Sequence, residues 1–68
     1  MKLSARNQLK GRVVEVREGA TTGHVRIDIG SKVITASITN EAIAELGLKL
    51  GDEAVAVIKA SDVMVGVD

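Results

Sequence analysis

Ser4, Ala5, Arg6 and Asn7 stand just ahead of a sheet-like run, and Lys59, Ala60 and Ser61 stand near the other end of the same 68-residue chain. The first group offers hydroxyl, guanidinium and amide donors with backbone N–H groups between them. The second again holds a cation, a small residue and a hydroxyl. Small side chains at Ala5 and Ala60 would let a ligand come close to the backbone. These are the parts of an oxyanion site, because arginine grips an anion with its planar fork and oriented N–H groups add fixed partial charge. The competing reading is that Arg6 and Lys59 are solvated surface charges and the serines are turn formers.

Catalytic chemistry finds less support. The chain has no cysteine nucleophile. Ser4, Ser31, Ser37 and Ser61 have no histidine near them in sequence, and the scattered carboxylates form no acid–base pair. His24 alternates outward on a strand beside a Gly-Thr turn, which reads as a solvated or interface histidine. One histidine without thiolates builds no metal cage. The expectation is therefore a protein that is not an enzyme, has no cofactor and presents no direct metal ligands.

Several short elements must position these residues. Residues 11–17, "GRVVEVR", alternate around Val14 and Val16 and read as a strand. Gly19–Gly23, "GATTG", is a turn signal. Residues 24–29 place Val25, Ile27 and Ile29 on one face and His24, Arg26 and Asp28 on the other. Gly30-Ser31 is a tight hairpin candidate, and residues 32–38 return as a third strand. The period then changes. Thr39 or Asn40 can cap a helix over 40–46, with Glu41 in its first turn and Gly47 as its stop. Residues 53–59 and 62–67 read as fourth and fifth strands, with Lys59–Ser61 at the bend between them. Three strands, a short helix and two strands predict a mainly β fold: a small five-stranded OB-like Greek-key barrel with its helix between strands 3 and 4.

Bulk composition bounds the rest. Sixty-eight residues allow one domain, taken as 1–68. A chain this short buries only about 60% of its unfolded surface, so its core is marginal. Without disulfides or metal, oligomerisation is the remaining staple. Apolar residues make up 46% of the chain and none is aromatic. Nine basic and nine acidic residues cancel, which opposes nucleic-acid binding, as does the lack of aromatic stacking platforms. No signal peptide or membrane span is visible, so a soluble cytoplasmic protein is expected.

The stretches "SARNQLKG", "TTGHVRIDIG", "ITASIT", "LGLKLGDEAVAVIKAS" and "DVMVGV" resemble the molbindins, single-domain molybdate-binding proteins whose domain is also appended to molybdate-responsive regulators and some molybdate-transporter ATPases. The resemblance runs over nearly the whole chain. It implies a hexamer, a trimer of dimers, that stores or buffers molybdate or tungstate at subunit interfaces. The metal would be held as its oxyanion. By match, Ser4, Ala5, Arg6 and Asn7 of one subunit would meet Lys59, Ala60 and Ser61 of a neighbour. A second, backbone-rich site is implied near Ala20, Thr21, Thr22, Gly23 and His24. Family members often carry serine where this chain has Gly23, so contact there must come from the backbone. Molybdate has four acceptor oxygens and no donor at neutral pH, which suits a pocket built from donors. Protonated phosphate would leave donors facing its hydroxyl. Sulfate differs mainly in size, so its rejection must rest on cavity fit.

An alternative resemblance involves Leu46–Val57, which is similar to the helix-turn-strand of swapped-hairpin DNA-binding transcription regulators. In those proteins the segment follows a short strand directly and basic residues gather on one face. Here three strands precede it and the net charge is zero.

Overall fold

The computed structural model describes residues 1–68. Its elements are β1 (Asn7–Glu18), β2 (Thr22–Asp28), β3 (Val33–Thr39), α1 (Asn40–Leu46), β4 (Glu53–Ile58) and a single 3-10 turn over Ala60–Asp62. The four strands form one antiparallel sheet in the order β3-β2-β1-β4.

β1 is the spine. Its first half, from Asn7 to Arg12, pairs with β4, and its second half, from Arg12 to Glu18, pairs with β2. A bulge between Val13 and Glu15 separates the two registers. It also corrects the facing expected for this strand. Alternation through Val14 and Val16 would bury Val14. The extra residue instead lets Val13 and Val16 both turn inward while Val14 stays 45% exposed.

β2 follows its pattern: Gly23, Val25 and Ile27 are buried and Thr22, His24 and Arg26 are exposed. The turn into β3 is the hairpin expected at Gly30-Ser31. It is closed by the Asp28 carboxylate accepting from the Gly30 N–H at 2.8 Å and by the Ile29 N–H donating to the Lys32 carbonyl at 2.9 Å. α1 spans the predicted residues. Thr39 serves as its N-cap, its Oγ1 accepting from the Ala42 N–H at 3.0 Å. Gly47 ends the helix in the left-handed region, at φ 62° and ψ 36°, where a side chain would be strained. Ile43 is the helix's buried residue, and with Val13, Val25, Ile27 and Ala56 it makes up the whole fully buried core.

The expected fifth strand is absent. After the 3-10 turn the chain runs free of the sheet, with Met64 94%, Val65 90% and Val67 94% exposed. The segment keeps a strand's alternation but pairs with neither edge of the sheet, β3 or β4. The barrel is left open as a result. An apolar cleft of about 830 Å³ lies between the outer strands β3 and β4, lined by Ile34, Ala36, Ile38, Ala54, Ala56 and Ile58 among others. The helix-turn-strand segment Leu46–Val57 here joins β3 to β4 of one curled sheet.

Candidate oxyanion site

Sheet structure begins at Asn7, four residues earlier than the apolar alternation marks. The difference matters, because it draws one of the candidate donors into the ladder. Asn7 pairs with Ile58, and its Nδ2 donates to the Ile58 carbonyl at 3.1 Å. The two strands are antiparallel, so the residues before Asn7 and those after Ile58 leave the sheet from the same end. Ser4, Ala5 and Arg6 therefore flank Lys59, Ala60 and Ser61 within one chain. The sequence separates these groups by about fifty residues, and the β1–β4 ladder, with the Asn7 amide bonded across its end, brings the two exits to one place.

Local bonds shape both strands' exits. Gln8 Nε2 donates to the Ala5 carbonyl at 3.1 Å and folds the first stretch back on itself. On the other side, the Asp62 N–H donates to the Lys59 carbonyl at 2.9 Å and the Val63 N–H to the Ala60 carbonyl at 3.2 Å. Ser4, Arg6, Lys59, Ala60 and Ser61 are exposed, while Ala5 and Asn7 are half-buried. Charge at this end is unbalanced. The molecule's two ion pairs, Arg17–Glu15 at 3.4 Å and Arg26–Glu15 at 3.6 Å, share one carboxylate and involve neither Arg6 nor Lys59. Arg6 and Lys59 thus leave the same end of the β1–β4 pair, neither in an ion pair, on exposed stretches that also carry Ser4, Ser61 and Asp62. That arrangement can accept an anion, and it remains open to solvent on one side.

The second candidate region lies at the opposite end of β1, in the turn from Gly19 to β2. Gly19 N–H donates to the Thr22 carbonyl at 2.9 Å and closes the turn. Asn40, the first residue of α1, then holds it from behind. Its backbone N–H donates to the Thr21 carbonyl at 2.9 Å and its Nδ2 to the Gly19 carbonyl at 2.9 Å. Ala20, Thr21, Thr22 and His24 are exposed, whereas Gly23 is buried. A Cβ on Gly23 would lie 2.7 Å from the Arg17 carbonyl oxygen and 2.7 Å from Ile43 Cδ1. Glycine is therefore a packing requirement in this chain, since a serine there would collide with backbone. His24 sits between Arg17 and Ser37 on neighbouring strands, on the outer face of the sheet.

Sequence reasoning missed two residues. Gln8 shapes the donor stretch through its bond to the Ala5 carbonyl, but it precedes the strand expected over 11–17 and its residue type gives no sign of that bond. Asn40 was visible as a possible helix cap, yet the cap is Thr39 and the asparagine's work is directed at the β1–β2 turn. No three carboxylate or imidazole side chains converge into a cation-binding group, and no helix is long and apolar enough to cross a membrane.

Residues 3–65 match the TOBE domain family. The chain belongs to that family. This TOBE domain is 51% identical, over the full length of both chains, to a probable molybdenum-pterin-binding protein of Haemophilus influenzae. In structure it is similar to a molybdate-binding protein from Sporomusa ovata, with a TM-score of 0.94 and 33% identity over 98% of this chain and all of that one. It is also similar to the cytoplasmic molybdate-binding protein ModG in a form with molybdate bound, with a TM-score of 0.94 and 48% identity. All of this TOBE domain, but only 49% of the ModG chain, takes part in that match. The OB-like character expected from the element order is thus shared with these structures, although four strands rather than five lie in the sheet here.

Proposed function

We propose that the protein binds molybdate or tungstate in the cytoplasm without turnover, as a store or buffer, and that residues 1–68 act as one domain in a homo-oligomer. The observation that carries the proposal is that the stretches holding Ser4 and Arg6 and holding Lys59 and Ser61 leave one end of the β1–β4 pair together, with neither cation in an ion pair. The relatives' binding of molybdate supports the choice of anion. A tetrahedral dianion loses much hydration on burial and needs charge and hydrogen bonds in return. One chain offers these from one side only. A second subunit would cover the open side, completing the shell and excluding water.

Two complementary features support assembly. The open cleft between β3 and β4 exposes apolar side chains, and the segment after Asp62 keeps a strand's alternation without belonging to the sheet. A neighbour's segment in that cleft would close each barrel and bring the Lys59–Ser61 bend to the subunit contact. The proposed assembly is a hexamer built as a trimer of dimers. Ion binding at its contacts would stabilise it by mass action, by about 2.7 kcal/mol at a free-ion concentration a hundred times Kd.

Native mass spectrometry with tungstate, repeated with sulfate and with phosphate, tests the reading. A hexamer that keeps tungstate ions and releases the other two anions is expected. A folded protein that retains no oxyanion overturns it.

A further inference from the structure

The two stretches that leave the Asn7 end of the β1–β4 pair are held in different ways. Lys59 and Ala60 lie in a turn closed by its own backbone, through the Asp62 and Val63 N–H groups. The first six residues have no such turn. One hydrogen bond reaches them from the rest of the chain, donated by Gln8 Nε2 to the Ala5 carbonyl at 3.1 Å. No ion pair reaches them. The residues on either side of Gln8 are committed elsewhere. The Asn7 amide is spent on the Ile58 carbonyl, and Leu9 packs against the core. Gln8 stands between them on the exposed face of β1, opposite Val57, and its side chain folds back three residues along the chain.

That bond fixes a direction. In a planar trans peptide the carbonyl of one residue and the N–H of the next point in opposite directions, and no peptide bond in this chain is cis. Gln8 holds the Ala5 carbonyl, so the Arg6 N–H points away from the Gln8 amide. The Ser4, Ala5 and Arg6 N–H groups donate no hydrogen bond within the chain. With the Ala5–Arg6 peptide held, the Arg6 side chain also starts from a fixed point. An arm without that bond would have to give up its freedom on closing around a ligand, which weakens binding. A second subunit over the site would remove the water that competes for the Ala5 carbonyl and so strengthen the bond.

We infer that Gln8 is a positioning residue of the proposed oxyanion site, its amide anchoring the Ala5 carbonyl so that Arg6 is presented in one direction before an anion arrives. This rests on the reading of the Arg6 end given above, and the test separates the two. Two variants isolate the bond. Gln8→Met keeps the length of the side chain and loses the donor. Gln8→Asn keeps the amide and falls one methylene short of Ala5. Each is followed by NMR as the ¹⁵N-labelled full chain and titrated with tungstate. In the wild type the Arg6 amide should have an order parameter of about 0.85 without anion and should shift when tungstate is added. In both variants the order parameter should fall below about 0.6. Tungstate should then bind about two- to tenfold more weakly, the range expected for one hydrogen bond. The unfolding midpoint in denaturant should stay where it is, because Gln8 is exposed and the arm lies outside the core. A wild-type Arg6 amide that never responds to tungstate overturns the site itself. An Arg6 amide that responds, yet stays as ordered or binds as tightly in the two variants, overturns only the role of Gln8. So does an arm that is already mobile in the wild type, or a loss of affinity that comes with a lowered midpoint.

Discussion

The two ends of β1 would offer an anion different things. At the Asn7 end the donors are side chains: long, exposed and tied to the sheet by a single amide bond. At the Gly19 end they are backbone groups held by buried neighbours, with Gly23 against the Arg17 carbonyl and Asn40 bonded to two turn carbonyls. The first end carries the charge but must lose side-chain freedom when it closes on a ligand. The second carries no net charge but has little freedom to lose. A dianion needs compensating charge most where it is most deeply desolvated, so the Arg6–Lys59 end is the one expected to dominate affinity. The turn is the one expected to discriminate by geometry.

Substitutions can be chosen to break that contrast. The largest effect is expected from Ile43→Ala, which empties one of five core side chains behind the turn and should lower stability by about 2–5 kcal/mol in denaturant titration. If the turn is the stiffer end, amide exchange there should rise more than at Asn7. Arg6→Ala should leave the midpoint of unfolding nearly unchanged while weakening tungstate binding by calorimetry roughly 10- to 100-fold, the value of about 1.5–3 kcal/mol for a charged hydrogen bond. Equal affinity in that variant would move the dominant site elsewhere. Gly23→Ala should cost about 1–3 kcal/mol through overpacking against backbone, with tungstate still bound at the Arg6 end. The smallest effect belongs to Thr39→Ala, about 1 kcal/mol from loss of the helix cap, measured as a shift in thermal midpoint. Because Asn40 follows the cap directly, that variant should loosen the turn while sparing the Arg6 end.

The same contrast explains what could be read from the chain without its coordinates. Arg6, Lys59 and the two serines announce themselves by residue type, and antiparallel pairing is enough to bring them together. The helix was legible to the residue, because Thr39, Glu41 and Gly47 each act through local bonding rules. Asn40 was not, since its partners, Gly19 and Thr21, lie about twenty residues earlier and nothing in an asparagine beside a cap says which carbonyl it will find. Alternation through Val14 and Val16 carries no mark of the bulge that leaves Val14 exposed. The segment 62–67 has the pattern of a strand, and pattern records only a preference to pair. Whether an edge within the same chain is free to receive it depends on where the Ala60–Asp62 turn sends the backbone.

The bulge at Val14 has one more consequence. β1 is shared between β4 and β2, with the extra residue between the two registers. Side chains alternate with a period of two, and Val13, Glu15 and Val16 already read inward, outward, inward once the extra residue between them is left out. Val14 is half exposed and could be exchanged for many residues with little effect. Deleting it would keep the facing on both sides, with Val13 still opposite Ile27 and Glu15 still opposite Arg26. What would go is the local bend and added twist that a bulge gives its strand. The Asn7 end and the Gly19 end would then be joined by a straighter rod, and the angle between the two halves of the sheet would change while their pairing did not.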